Sequence, residues 1–172
     1  MANILTVYFS MKGQTIGPGM KIVNQEKGNT AMAAEYIQKA VGGDLFEIKA
    51  DREYSKDHMV LIEEAKQELN NGIRVPVKAY PEKLDQYDTI FLGYPNWWNT
   101  MPMVLFTFLE HFDWSGKRII PFCTNEGSGL GASVRDIKKI SKGAEVDAGI
   151  SLTGSQVKNS EGKIAAWAKG KI

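Results

Sequence analysis

Cysteine is nearly absent. The single thiol, Cys123, has no internal partner, so no disulfide framework exists and a reducing, cytoplasmic setting is expected. Histidine is almost as scarce: His58 and His111 lack ligand spacing between them, and both fall on helical patterns away from the loops singled out below. Neither sign of charge is in excess. A net charge of +1, with basic and acidic residues mixed along the chain, excludes the electrostatic footprint of a nucleic-acid or anionic-membrane binder. No apolar run approaches the ~20 residues a membrane-spanning helix needs. The start, Met1-Ala2-Asn3-Ile4-Leu5, has no basic segment of the kind that opens a signal peptide.

Two phosphate motifs are missing as well. Gly28 is followed by Asn29 where a nucleoside triphosphatase loop would place lysine, and the glycines at 17–19 and 127–131 break the dinucleotide fingerprint in spacing or position. A phospho-accepting receiver would carry acids at the ends of the first and third strands. Ser10 and Tyr94 stand there instead.

What is present suffices for one globular domain spanning 1–172, since 43% of the 172 residues are hydrophobic. Ile4 to Phe9 is a β-branched and aromatic run suited to a strand buried on both faces. Residues 11–27 are irregular and glycine-rich. A helix is expected over 30–41, with Thr30 as N-cap and Gly42 as stop. Asp44 to Lys49 alternates polar and apolar residues, as a strand with one wet face near an edge would. An amphipathic helix follows over 58–70, closed by Asn71-Gly72. The connector from Ile73 to Asp88 has no clear element. Thr89 to Gly93 is the third strand, Pro102 suits the first position of a helix that runs to Phe112, and Arg118 to Cys123 is the fourth strand. Val134, Ile137 and Ile140 mark another helix, Glu145 to Leu152 a fifth strand, and Ile164, Trp167 and Ala168 a last helix capped by Ser160. Strand and helix alternate throughout. This predicts an α/β doubly wound parallel sheet of five strands, order 2-1-3-4-5, with helices on both faces.

In such a sheet the ligand sits at the carboxyl ends of the first and third strands. Three irregular loops converge there. The first, Ser10 to Thr30, offers unpaired N–H groups at a helix N-terminus, with Ser10, Asn29 and Thr30 as short donors and Lys27 as a source of charge. A Gly28-Asn29-Thr30 tripeptide is also a common turn and cap. The second, Gly93-Tyr94-Pro95-Asn96-Trp97-Trp98, leaves two indoles in a loop, where a flat partner would cover them; adjacent residues point apart, so one of the two is expected on the ligand. The third, Thr124-Asn125-Glu126-Gly127-Ser128-Gly129, supplies backbone N–H groups close together. A phosphate, a flat aromatic body and a heteroatom edge describe FMN.

Tyr8-Phe9-Ser10, Gly28-Asn29-Thr30, the Gly93 to Trp98 loop, Met101-Pro102, Phe108-Leu109 and Pro121 to Thr124 with Gly127-Ser128-Gly129 together resemble the flavodoxin family, in a branch whose flavin loop reads G-Y-P-x-W-W. The resemblance implies non-covalent FMN. It puts Ser10, Asn29, Thr30 and Ala31 at the phosphate with Lys27 and Gly28 beside them, Pro95, Asn96, Trp97 and Trp98 at the isoalloxazine, and Thr124, Asn125, Glu126, Gly127 and Ser128 around its pyrimidine edge. Residues 11–26 interrupt the continuous family phosphate loop and are expected to fold beside the site. Electron transfer to a redox partner protein is one implied function. An NAD(P)H-dependent FMN oxidoreductase acting on quinones or similar acceptors is the other, and a binding module without flavin is a third reading. In the two flavin readings no residue need act as nucleophile or metal ligand.

Overall fold

The computed structural model describes residues 3–172; Met1-Ala2, the start of the segment read above for a signal sequence, lies outside them. The elements in chain order are β1 (Ile4–Tyr8), β2 (Gly13–Ile16), β3 (Ile22–Gln25), α1 (Asn29–Val41), β4 (Asp44–Glu47), α2 (His58–Asn70), β5 (Thr89–Pro95), α3 (Met103–Glu110), β6 (Arg118–Asn125), α4 (Ser133–Ile140), β7 (Glu145–Val146), β8 (Ile150–Thr153) and α5 (Glu161–Lys169).

The main sheet is parallel and runs β4-β1-β5-β6-β7, with β8 also on β6. Counted among the sheet strands alone, this is the expected 2-1-3-4-5 order. β1 is buried along its whole length, as its unbroken apolar run requires, and the alternating β4 lies at the edge. Leu5, Val7, Ile90, Leu92 and Cys123 point to one face, where Val104, Leu105 and Phe108 of α3 cover them. Ile4, Phe91, Ile120 and Phe122 point to the other, under Ala33 and Ile37 of α1 and Ile164 and Ala168 of α5. Period-two side chains on buried parallel strands demand cover on both sides, and the helices supply it.

Several local expectations change. The fifth strand is two pieces, β7 against Arg118 and Ile119 and β8 against Phe122 to Asn125. The break lies opposite Pro121, which has no N–H for a ladder, and Gly149 turns there at φ +76°, where a Cβ would sit 2.6 Å from the Pro121 carbonyl oxygen. Pro102 is the N-cap of α3 rather than its first residue, and the helix stops at Glu110, short of Phe112. The N-cap of α1 is Gly28, not Thr30, whose hydroxyl is engaged across the site. Ser160 does stand at the N-cap of α5, but its hydroxyl donates backward to the Gln156 carbonyl. The connector after Gly72 contains an isolated bridge, Val77 to Ala50, and a short 3-10 turn at Leu84–Gln86. β2 and β3 form an antiparallel hairpin apart from the main sheet. Among the described residues, no helix is long and apolar enough to cross a membrane.

Candidate functional site

β1 ends at Tyr8, and Ser10 follows at the point where the chain leaves the sheet. Its Oγ accepts the N–H of Ala31, 3.1 Å away, in the first turn of α1. Gly28 makes that approach possible: a Cβ there would lie 2.1 Å from Ser10 Oγ and 2.4 Å from the Met11 carbonyl oxygen. No side chain of the N-cap closes α1, and among the described residues the N–H groups of Asn29 and Thr30 have no acceptor. The thirteen-residue helix thus directs its positive end at the space in front of it. Lys27 is placed elsewhere. Its ammonium pairs with both carboxylate oxygens of Glu35 at 2.8 Å on the surface, and it does not line the cavity.

The tryptophan loop leaves β5 through Pro95. Trp97 N–H donates to the Thr100 carbonyl at 2.8 Å, closing a two-residue turn in which Trp98 (φ +54°) and Asn99 (φ +72°) are both left-handed. For an indole-bearing residue this conformation is strained, and strain of that kind gathers at functional sites. The two rings part company. Trp97 is half-buried, edge-on to Phe9 (5.5 Å between ring centroids) and to Tyr54 (5.2 Å). Trp98 is 45% exposed, and its Nε1 donates to the Ile62 carbonyl at 2.7 Å. Asn96 joins this loop to the next, its amide nitrogen donating to the Gly129 carbonyl at 2.8 Å while its oxygen accepts from Asn99 N–H at 2.9 Å.

In the loop after β6, Asn125 Oδ1 accepts the N–H groups of Gly127 and Gly129, both at 3.0 Å. Those amides therefore build the loop, and Gly127 lies outside the cavity lining. Glu126 and Ser128 do line it. The Glu126 carboxylate is held by Ser155 N–H at 2.5 Å and Ser155 hydroxyl at 2.9 Å. Thr124 and Thr30 share a buried hydroxyl contact of 2.8 Å, which ties the helix end to this loop. Cys123, one residue earlier, is a core residue; burial pushes its thiol up to about 12, so it stays protonated at neutral pH.

A further wall comes from the insertion at 11–26, expected beside the site, together with the start of α2, which was not expected there. The β2–β3 hairpin and the start of α2 bring Gln14, Ile16, Met20, Gln25, Leu61 and Ile62 to the same space. Gln14 Oε1 accepts the His58 N–H at 2.9 Å, fixing hairpin to helix. His58, expected away from the site, lines it, because α2 begins beside the hairpin rather than behind the sheet; His111 is remote and stacks on Tyr80 at 3.7 Å. A signal for the hairpin is visible in hindsight: β-branched residues at 15–16 and 22–23 flank the turn residues Gly17-Pro18-Gly19. Gly154 was missed too, and it sits so close that a Cβ would be 2.6 Å from Asn29 Nδ2.

Together these residues enclose a cavity of about 540 Å³, within the usual range for cofactor pockets, roughly 300–1,000 Å³. Of the fifteen residues predicted, Ser10, Asn29, Thr30, Pro95, Asn96, Trp97, Trp98, Thr124, Asn125, Glu126 and Ser128 line it, and Lys27, Gly28, Ala31 and Gly127 do not. No lysine or arginine is among the lining residues, and Glu126 carries the one full charge. Asn29 Oδ1, Gln25 Oε1 and His58 Nδ1, all on lining residues, are enclosed without a hydrogen-bond partner. Orphaned polar atoms gathered around one cavity point to something that completes it. The donors at the α1 terminus, the exposed indole and the polar β6 loop fit a flavin mononucleotide in chemistry.

A family model described as Flavodoxin matches residues 3–170. No curated protein matches the chain. Among solved structures, a protein from Bacteroides eggerthii assigned as a flavoprotein shares 31% identity at TM-score 0.77, covering 99% of this chain and 98% of its own. A flavoprotein from Lactobacillus acidophilus in complex with FMN matches at 17% identity and TM-score 0.65, over 92% of this chain and 98% of that one. A Fusobacterium nucleatum flavodoxin bound to flavin mononucleotide matches at 14% and 0.56, over 99% and 97%. The last two likenesses are of fold.

Proposed function

Because the chain belongs to the flavodoxin family, we propose that it binds FMN non-covalently in the cavity between α1, the tryptophan loop and the β6 loop, and works as an electron-transfer flavoprotein. The observation that carries this reading is the meeting, in one cavity, of an open helix N-terminus, an exposed indole and a polar strand-end loop. Ser10, Asn29 and Thr30 would hold the phosphate by neutral donors and the helix field, without a cationic side chain. Pro95 to Trp98 would face the ring system, and Thr124, Asn125, Glu126 and Ser128 its polar edge. The paired tryptophans would place the chain in the G-Y-P-x-W-W branch. When bound, the flavin supplies the redox chemistry; the residues of this chain position it, limit water around it and set the field it feels.

Absorbance of the purified protein, followed by FMN titration of the apoprotein, tests this. A yellow protein with visible flavin bands, or saturable uptake of FMN by the apoprotein, is expected. A colourless protein that takes up no FMN sinks the proposal.

One observation favours a second reading, an NAD(P)H-dependent FMN oxidoreductase that reduces a quinone or similar small acceptor. The hairpin and α2 add a wall that flavin binding alone does not call for. Rapid mixing of the holoprotein with NADPH separates the two: bleaching without a partner reductase supports the enzyme, and its absence supports a carrier that depends on a partner protein. Either way, the expected place of work is the cytoplasm.

A further inference from the structure

We propose that Arg52, which lies outside the cavity lining, is a positioning residue for the flavin site: by gripping Glu64 and Glu68 it fixes the rotation of α2, and through α2 the place of the Trp98 indole. The inference rests on the FMN reading above and concerns residues to which that reading gives no role. α2 needs such a clamp because its own packing is thin. Of its residues only Leu61, Ala65 and Glu68 are buried. Leu61 and Ala65 border the cavity, and neither belongs to the packed cores on the two faces of the sheet, where Leu69 alone of this helix takes part. A helix whose buried apolar side chains face a ligand space is not held at one rotation by them.

The polar cluster supplies the missing constraint. Glu64 and Glu68 stand one turn apart on one helix face, and a single guanidinium reaches both, Nη2 to Glu64 and Nη1 to Glu68 at 2.6 Å. The second Glu68 oxygen accepts the Tyr54 hydroxyl at 2.8 Å, and the Ser55 N–H donates to Glu64 at 3.2 Å. Arg52 itself follows a pinned segment, since Asp51 N–H donates to the Pro76 carbonyl at 2.7 Å and Ala50 bridges Val77. A planar fork that meets two carboxylates admits one rotation of the helix, whereas a lysine would satisfy one carboxylate at a time. Glu68 is buried, so desolvation of its charge cancels much of what the pairing contributes to stability; what such a cluster does is fix register.

The register reaches the site through one bond. Ile62, which precedes Glu64 on the same helix, gives its carbonyl to Trp98 Nε1 at 2.7 Å. Trp98 sits in a left-handed turn and is 45% exposed, so packing alone does not fix its indole. The cluster also touches the root of that turn: the guanidinium lies 4.1 Å from the centre of the Tyr54 ring, and this ring meets Trp97 edge-on at 5.2 Å. Both tryptophans are thereby keyed to α2, and the one displayed at the cavity is placed by charges that never enter it.

The test is a double-mutant cycle on FMN affinity, read by fluorescence titration of the full-length apoprotein: Arg52→Lys and Trp98→Ala, alone and combined. Glu68→Gln, which keeps an acceptor for Tyr54, opens the clamp from the other side and carries the cycle by itself if the Arg52 variant does not fold. Each clamp variant should weaken FMN binding about fivefold in the otherwise unchanged protein, and by less than about twofold where Trp98 is already alanine, since the clamp then has no indole to place. Equal losses in the two backgrounds would mean that the cluster supports the fold at large, and they overturn the positioning role. FMN affinity that the clamp variants leave unchanged overturns it as well. A protein that takes up FMN equally well with and without the Trp98 ring overturns the route through Trp98 and leaves the flavin reading standing. One that takes up no FMN overturns both.

Discussion

At the scale of single residues, the two neighbouring tryptophans do different work. Trp97 is wedged edge-on between Phe9 and Tyr54 and belongs to the packing of one core. Trp98 is displayed, in a left-handed backbone that the turn imposes, with its nitrogen tied to α2. Trp97→Ala should therefore cost stability of roughly 2 kcal/mol, less than the ~3–5 kcal/mol of a fully buried aromatic because the ring is only half-buried. Trp98→Ala should change stability little, within about 1 kcal/mol, yet weaken FMN binding about tenfold. Urea unfolding of both apoproteins and FMN fluorescence titrations check the pair. Equal effects of the two changes on FMN affinity would contradict the division.

At the scale of elements, the site is held by a few cross-links rather than by one rigid unit. Tyr54, against which Trp97 packs, donates its hydroxyl to Glu68 at 2.8 Å, and Arg52 pairs with Glu68 at 2.6 Å and with Glu64. Glu68 is 3% exposed, so this charge is buried with its partners already in place and braces α2 against the tryptophan loop. The hairpin is less well secured. Two strands alone are marginal in water, and Ile22 and Met20 are largely exposed. The amides of residues 13–25 are expected to exchange with deuterium faster than those of β1, β5 and β6, to slow when FMN is added, and to speed up again in Gln14→Ala, which releases the hairpin from α2. Hydrogen exchange with mass readout would show it; protection of 13–25 equal to that of the sheet strands in the apoprotein would count against it.

At the scale of the whole molecule, the buried hydroxyl and thiol groups set how stability depends on pH. Burial raises the Cys123 thiol from 9.0 to about 12 and, with Glu47 and Glu35 adding to it, the Tyr8 phenol from 10.0 to about 12; Tyr54 and Tyr94 are raised for the same first reason. The unfolded chain releases these protons at lower pH than the folded one, so above about pH 9 it binds fewer protons and stability falls as pH rises. The stability these groups confer is whole below pH 9 and is lost progressively up to about pH 12. Chemical denaturation midpoints at pH 8, 9.5 and 11 should decline in that order. Cys123→Ala should flatten the part of the fall nearest pH 9, and an unchanged slope would contradict the burial of the thiol.

The sequence by itself determined the sheet. Apolar runs such as Ile4 to Phe9 and Arg118 to Cys123, each followed by a helical period, admit few parallel arrangements, and the strand order followed from right-handed crossovers. It also determined where the strand-end loops meet, which is why Ser10, Asn29, Thr30, Pro95 to Trp98 and Thr124 to Ser128 could be named in advance and why most of them share one cavity. Only the tertiary structure decided how each group is spent. Lys27 turns to Glu35, eight positions along the chain, the amides of Gly127 and Gly129 close on Asn125, and Thr30 reaches Thr124 instead of capping its helix. The insertion at 11–26 was expected beside the site and lies there, but its hairpin form and the arrival of His58 were out of reach. Gln14 bonds the head of α2 across forty-four residues of sequence, and local pattern carries no information about a contact that only chain folding creates.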